Sequence, residues 1–496
     1  MFLFLFCTLS TSVILAQPAQ SNLFDSRPNQ TGKTKQTSNQ QAPTKNNVLL
    51  IVSDDLKASV LGCYGDRICQ TPNIDRLAKS GMLYQRAYCQ AMWCAPSRQS
   101  FMHSRYQGST TVNLGSHLID QGYYTARVGK IYHMRVPGDI IAGTNGNDIA
   151  SSWTERFNSP GLEAHTPGNY ACLNLNIFTT ELAGRQSTRM PHRPFVTVQY
   201  EGDGSDQPDF KSATKAIEIM RQRVANADEQ PFFLAIGLVR PHYPMVAPEQ
   251  YFEPYAWDKM NVPKVPADDL KDIPKLGWGQ SNSKRVGFGA YPENKKGMWS
   301  GYYASVTFMD DQVGRILDEL DRLGLRDSTT VIFTSDHGYH LGEHEFWQKS
   351  NLHEEVTRVP LIIDAPGHTS GQSTALVELM DLFPTIAELN DLPIPKTVQG
   401  QSLVPTLDGE TTIRNAAISL HQGIAIRTDR YSYIRYVDQS EEFYDMQTDP
   451  QQFTNLASSS QNDSTKDQIQ EELDRHRHLA DKSIAKHKIV LKRKKR

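Results

Sequence analysis

The chain has 496 residues, of which 38% are hydrophobic and 22% charged, and a formal net charge of -3. That length exceeds the need of one small core and predicts a large domain with a smaller companion. Ordinary composition and near-neutral charge exclude a largely disordered chain and give no bulk attraction to polyanions, so no nucleic-acid partner is expected.

The first sixteen residues, MFLFLFCTLSTSVILA, form an apolar run too short to span a bilayer comfortably, and polar QPAQSN follows. This predicts a secretory signal peptide, export and no stable membrane insertion, although the run lacks the usual basic residue at its start. Residues 17–45 are rich in Gln, Ser, Asn, Thr and Lys and cannot bury enough surface to order themselves, so they read as a disordered linker. Cys7 falls in the signal segment, which leaves Cys63, Cys69, Cys89, Cys94 and Cys172, an odd and sparse set that is no disulfide framework.

NNVLLIVSDD (46–55) is a continuous apolar run ending in two acids, the pattern of a buried strand that delivers carboxylates at its C-terminal end. TPNIDRLAKSG predicts a helix with a Thr cap and Pro72 in its first turn. A longer helix is predicted over 303–324, where Val306, Val313, Ile316, Leu317, Leu320 and Leu323 recur at helical spacing. TTVIFTSDHG (329–338) then repeats the strand-acid unit. Alternating strands and helices imply an α/β fold, a mostly parallel sheet with helices on both faces, whose ligands gather at the carboxyl ends of the strands. Residues 253–297 read as a loop-rich insertion near the pocket mouth. Past 395, short pieces such as GIAIRTDRYSYIRYV and EEFYDMQTDP predict a small antiparallel sheet.

Asp54 and Asp55 cannot share a pocket uncompensated, because neighbouring like charges raise one another's pKa. A hard divalent cation is the simplest remedy, with Asp336 and His337 adding an oxygen and a nitrogen; calcium or magnesium suits the oxygens, and the imidazole is unusual for either. Taken singly, each pair also reads as a strand end capping a turn. Cys94 stands at a helix start in WCAPSRQS, where free N–H groups and the helix dipole favour an anion and would lower a thiol pKa. A thiolate nucleophile, a bound anionic substrate and an inert buried cysteine all remain open. Arg98, one turn on, can point to the same place as a permanent anion ligand.

CAPSR (94–98) resembles the C-x-P-S-R signature of the type I sulfatases, whose cysteine is oxidised to formylglycine after translation. The resemblance continues in order through NVLLIVSDDL, GCYGD, TPNIDRLAKSG, GK-x-x-H at 129–133, FFLAIGLVRPHYP, TSDHG with LGEH, VPLIIDAPG and FYDMQTDPQQFTNLA. The detailed pattern is most similar to the iduronate-2-sulfatase branch. It implies an alkaline-phosphatase-like mixed sheet. Together with the shortened elements past 395 and the charge run KHKIVLKRKKR at the end, the expected division is a catalytic domain 46–394, a C-terminal subdomain 395–480 and a basic tail, 481–496.

The resemblance further implies one calcium ion held by Asp54, Asp55, Asp336, His337 and the converted Cys94. Arg98 and Lys130 would hold a hydrated aldehyde; Lys130, His242 and Lys349 would contact the sulfate. His133 would be the partner of the hydrate and His242 the leaving-group acid, with a pKa near working pH. One hydroxyl of the hydrate attacks sulfur and the other, deprotonated, collapses to the aldehyde and ejects sulfate, so the nucleophile regenerates itself.

The implied partners are a sulfated carbohydrate, uronate-containing as in the branch it resembles or another sulfated polysaccharide fragment, and a formylglycine-generating enzyme. Two departures stand out: QSFMHSRY follows CAPSR where the family commonly runs to Leu-Thr-Gly-Arg, and Arg240 replaces a usual lysine, offering a guanidinium to a sugar carboxylate. Two other readings stay open, a two-zinc phosphohydrolase of the same superfamily and a non-catalytic binder of sulfated glycans should Cys94 stay a thiol. His340, His344 and His353 read as loop residues behind the site.

Overall fold

Asn47–Asp54 forms a strand, β1, and its apolar residues alternate between two cores because successive strand side chains point to opposite faces. Leu49 and Ile51 enter one core; Val48, Leu50 and Val52 enter the other. Both faces of the sheet are covered, which is why the run is continuously apolar. The computed structural model describes residues 45–183, 185, 192–226, 230–280, 282–459 and 464–474. The expected signal peptide, the linker up to residue 44 and the basic tail lie outside them.

The sheet has nine strands. Besides β1 they are β2 (Met82–Tyr88), β3 (Tyr124–Gly129), β4 (Glu155–Phe157), β5 (Phe232–Pro241), β6 (Thr329–Ser335), β7 (Arg358–Val359), β8 (Leu361–Asp364) and β9 (Gly371–Glu378). Their order is β7-β2-β8-β6-β1-β5-β3-β4, with β9 also paired to β2. β6, β1, β5, β3 and β4 run parallel, whereas β8 is antiparallel to β6 and β2. The mixed, mostly parallel sheet and its helical layers make the α/β architecture expected from the alternating elements. Ser53 pairs in register with Ser335, so Asp54-Asp55 and Asp336-His337 leave the sheet side by side at its carboxyl edge.

Helices α1 (Pro72–Ser80), α3 (Pro208–Ala225) and α4 (Asn294–Arg322) bury apolar stripes in the first core, while α2 (Cys94–His103) packs Phe101 and Met102 into the second. Two local expectations are corrected. α4 begins at Asn294, nine positions before the start read from the apolar spacing, because Lys295, Lys296, Gly297 and Gly301 interrupt the sequence pattern around buried Met298 and Trp299. Thr71 does not cap α1 with its side chain; Asp310 of α4 accepts the N–H groups of Asn73 and Ile74 instead.

A second, four-stranded antiparallel sheet follows, β10 (Ala417–Leu420), β11 (Gly423–Arg427), β12 (Tyr431–Tyr436) and β13 (Glu441–Asp445), paired in chain order. Ala425, Ile434 and Tyr436 of this sheet pack against Met92, Leu352 and Val356, which flank Cys94 and Lys349 in sequence. Among the described residues no helix is long and apolar enough to cross a membrane.

Candidate active site

Asp54 ends β1 and Asp55 takes a left-handed backbone, φ 63°. Consecutive strand residues point to opposite faces, so this turn is what lets both carboxylates reach one pocket. It is pinned by Tyr302 of α4, whose hydroxyl donates to the Asp55 carbonyl and accepts the N–H of Lys57 at 3.0 Å.

One donor atom each from Asp54, Asp55, Cys94 and His337 lies within 4.8 Å of the others, and all four residues are buried. Asp54 Oδ1 and Asp55 Oδ2 are buried without a hydrogen-bond partner; Arg98 Nη2 lies 3.2 Å from the former but off the hydrogen-bonding direction. The Nδ1 of His337 is 3.0 Å from the Gly338 carbonyl, which fits a donor there and leaves the Nε2 lone pair facing the group, 3.4 Å from Cys94 Sγ. Orphaned carboxylate oxygens beside an oriented imidazole fit a hard divalent cation. Asp336 stands at the edge of this group: its Oδ1 accepts the N–H groups of Asp55 and His337, and its Oδ2 accepts Arg98 Nε at 2.8 Å. Among the described residues this is the one such cluster.

Lys130 follows Gly129, whose φ is 71° and whose missing Cβ would lie 2.2 Å from the Gly237 carbonyl of β5. That close approach sends the Lys130 ammonium onto Asp54 Oδ2. Lys349 bonds Asp55 Oδ1 and lies 3.2 Å from Cys94 Sγ. Arg98 is fully committed to Asp336 and to the carbonyls of Lys130 and Ile131, so it braces the pocket wall. His242 Nε2 lies 3.8 Å from Asp55 Oδ2, and its Nδ1 is 2.7 Å from the Tyr243 carbonyl. His133 is half-buried with an unpartnered Nδ1.

Charge and burial compete throughout. Burial pushes Asp54 up, but Lys130, His242 and Arg98 together outweigh it and hold it well below the usual carboxylate range. Burial raises Asp55 to about 7; Lys349 opposes the shift and Asp54 adds to it. The Cys94 thiol is pushed up by burial and by Asp54, the reverse of the lowering expected from its place at the head of α2. Burial in the company of carboxylates outweighs the helix dipole and disfavours a thiolate. Burial also holds His242 well below its ordinary value and His133 at about 4, so the expected near-neutral imidazole acid is not a property of the free site.

Arg240 takes another task than the one read from the sequence. Only 1% exposed, its side chain bonds Glu163 Oε2 at 3.1 Å and the Val246 carbonyl, so its charge is already neutralised. His340, His344 and His353 are buried behind the Lys349 loop and bond Asn351, Asp269 and Glu442 respectively. Glu163, Tyr243 and Glu442 were not singled out from the sequence, although Tyr243 lies in RPHYP and Glu442 in EEFYDMQTDP, because their roles depend on partners distant in the chain.

The family model described as Sulfatase matches residues 46–392, and the one described as N-sulphoglucosamine sulphohydrolase, C-terminal, matches 342–479. Over 407 residues the chain is 32% identical to iduronate 2-sulfatase of Mus musculus, covering 70% of this chain and 69% of that protein. A protein solved in complex with its substrate D-glucosamine-2-N,6-O-disulfate shares the fold with a TM-score of 0.68 at 19% identity, covering 88% of this chain and 98% of that one. The phosphonate monoester hydrolase of Agrobacterium radiobacter shares it at 0.69 and 21% identity, over 88% and 96%.

Proposed function

The chain belongs to the sulfatase family, as a sulfuric ester hydrolase, and from that premise we propose that it is an exported enzyme acting on sulfated carbohydrates through a formylglycine made from Cys94. The observation that carries this reading is the placement of Cys94: its Sγ stands at the head of α2, 3.2 Å from Lys349 Nζ and 3.4 Å from His337 Nε2, in one group with the carboxylates of Asp54 and Asp55. We assign residues 46–394 to the catalytic domain and 395–480 to a C-terminal subdomain.

Asp54, Asp55, His337 and residue 94 would hold a calcium ion, with Asp336 beside them. When bound, the ion would supply fixed positive charge to sulfate oxygens, and the hydrated aldehyde would supply a nucleophile with two hydroxyls on one carbon. Lys130 and Lys349 present ammonium groups that bind the remaining sulfate oxygens and orient sulfur for in-line attack. His242 faces the pocket through Nε2 and passes a proton to the departing sugar oxygen, while His133 accepts a proton from the residue at 94. Arg98 keeps Asp336 and the Lys130 segment in place. A bound sulfate brings negative charge against His242, which favours its protonated form when the leaving group needs it.

The test has two parts on protein purified from its native host. Mass spectrometry of the peptide containing Cys94 is expected to show the CH2–SH side chain replaced by an aldehyde. Sulfate release screened across sulfated uronates, amino sugars, aryl sulfates and choline sulfate is expected to favour the sugars. An unmodified thiol in active protein would sink the nucleophile assignment, and turnover confined to aryl or choline sulfate would sink the carbohydrate assignment.

A further inference from the structure

Arg193 has no counter-ion among the described residues. Among the described residues its guanidinium has no ion pair and no hydrogen bond, and its Nε is buried without a partner although the side chain is only half-buried. The preceding stretch, Gln186 to His192, contains no acid to neutralise it. An unpaired, partly desolvated guanidinium is costly, so a place that retains one calls for a ligand.

Its surroundings say which ligand. The Arg193 guanidinium lies 5.8 Å from the centre of the Tyr243 ring, and Lys349 Nζ lies 6.0 Å from the same centre. That ring also packs against the His242 imidazole, with centres 4.2 Å apart. Arg193 therefore shares one aromatic platform with two residues of the sulfate pocket.

The backbone explains the meeting. Residues 196–200 pair in parallel with 245–248, Thr197 opposite Met245, so Arg193 and His242 enter the same end of two neighbouring strands. Phe195 fixes the turn beneath Arg193: it is fully buried and meets Phe288 and Trp347 edge-on, at 5.1 and 6.2 Å. Trp347 leads directly to Lys349. Arg98, Lys130 and Lys349 all bond carboxylates of the pocket, and Arg240 is neutralised by Glu163.

We infer that Arg193 is a specificity-determining residue that binds a second anionic group of the substrate, a carboxylate or further sulfate on the same sugar as the scissile sulfate. The inference rests on the carbohydrate reading above. A guanidinium fork matches either group in a bidentate pair, and a neutral substituent leaves it unpaired.

The test compares wild type, Arg193→Ala and Arg193→Lys on three substrates: a sulfated uronate, the same sugar with its carboxyl reduced to an alcohol, and a disulfated amino sugar. Wild type is expected to prefer at least one doubly anionic substrate over the reduced sugar. In Arg193→Ala that preference in kcat/KM should fall roughly 10- to 100-fold, mainly through KM, with partial rescue in Arg193→Lys. The substrate whose advantage collapses tells carboxylate from sulfate. Inhibition of wild type by a free uronic acid, or by a sugar monosulfate, over the neutral parent sugar gives a readout that needs no variant to fold. Equal losses on all three substrates, or no preference in wild type for either doubly anionic sugar, would overturn the inference while leaving sugar sulfate hydrolysis intact. Wild type that turns over no sugar sulfate overturns both.

Discussion

Lys349 places its Nζ 3.2 Å from the Sγ of Cys94, although 255 residues separate them along the chain. The same ammonium bonds Asp55, so one side chain joins the residue to be modified to the acid pair at the end of β1. Removing it leaves Asp55 buried beside Asp54 with no ammonium against it. Lys349→Ala is therefore expected to lower kcat/KM for a sulfate ester roughly 100- to 1000-fold, read by sulfate release. In chelator its melting temperature should also drop, by the equivalent of about 3 kcal/mol, the cost of breaking a buried charge pair.

The orphaned oxygens of Asp54 and Asp55 predict a response to metal that does not depend on turnover. Chelation should lower the melting temperature, and calcium added back at about a hundred times its dissociation constant should restore about 2.7 kcal/mol. Asp55→Asn should blunt the calcium response in the same melting experiment. A melting temperature indifferent to both chelator and calcium would remove the metal from this site.

Behind Lys349, His344 gives a pH signature of stability. Burial lowers its pKa, but the bond to Asp269 and the charges of Asp269 and Glu442 outweigh that and raise it above the ordinary imidazole value. A raised folded pKa means the folded state holds its proton more tightly. The stabilisation is fully present below the unfolded value, about 6.5, and is lost as pH rises through the folded one. Asp269→Asn should therefore cost more stability at about pH 5.5 than at about pH 8.5 in denaturant melts. An equal cost at both would place the effect in packing.

The C-terminal sheet is expected to matter for catalysis through Glu442 of β13. Its buried carboxylate accepts from His353 Nε2 at 2.7 Å and from the hydroxyls of Tyr436 and Tyr444 at 2.5 Å. His353 closes the loop that begins with Lys349. Glu442→Gln leaves one donor unsatisfied, so stability should fall by about 1–3 kcal/mol. The KM for a sulfate ester should rise more than kcat falls, because a looser loop misplaces a sulfate-binding ammonium; unchanged kinetics with lowered stability would limit Glu442 to a structural role.

How much of this was legible in the sequence follows from what is local. The run Val48–Val52 with two acids, the SDHG strand and CAPSR each carry their meaning within about ten residues. A buried strand must be apolar, and an acid pair at its end needs compensation. From that much the α/β class, the strand-end pocket and the resemblance to sulfatases followed, and the structure brings Asp54, Asp55, Cys94 and His337 into one group.

What the sequence could not decide was every property set by distant partners. Whether Cys94 ionises depends on burial and on Asp54, not on its helix position alone. Arg240 and Arg193 look alike as letters, yet one meets Glu163, 77 residues away, and the other pairs with no acid among the described residues. Electrostatic roles are sums over neighbours in space, and the chain assembles those neighbours only when β1, β5 and β6 bring their ends together. Local pattern determined the fold class and the chemistry on offer; tertiary contact decided which charges are spent on the protein itself and which are left for a substrate.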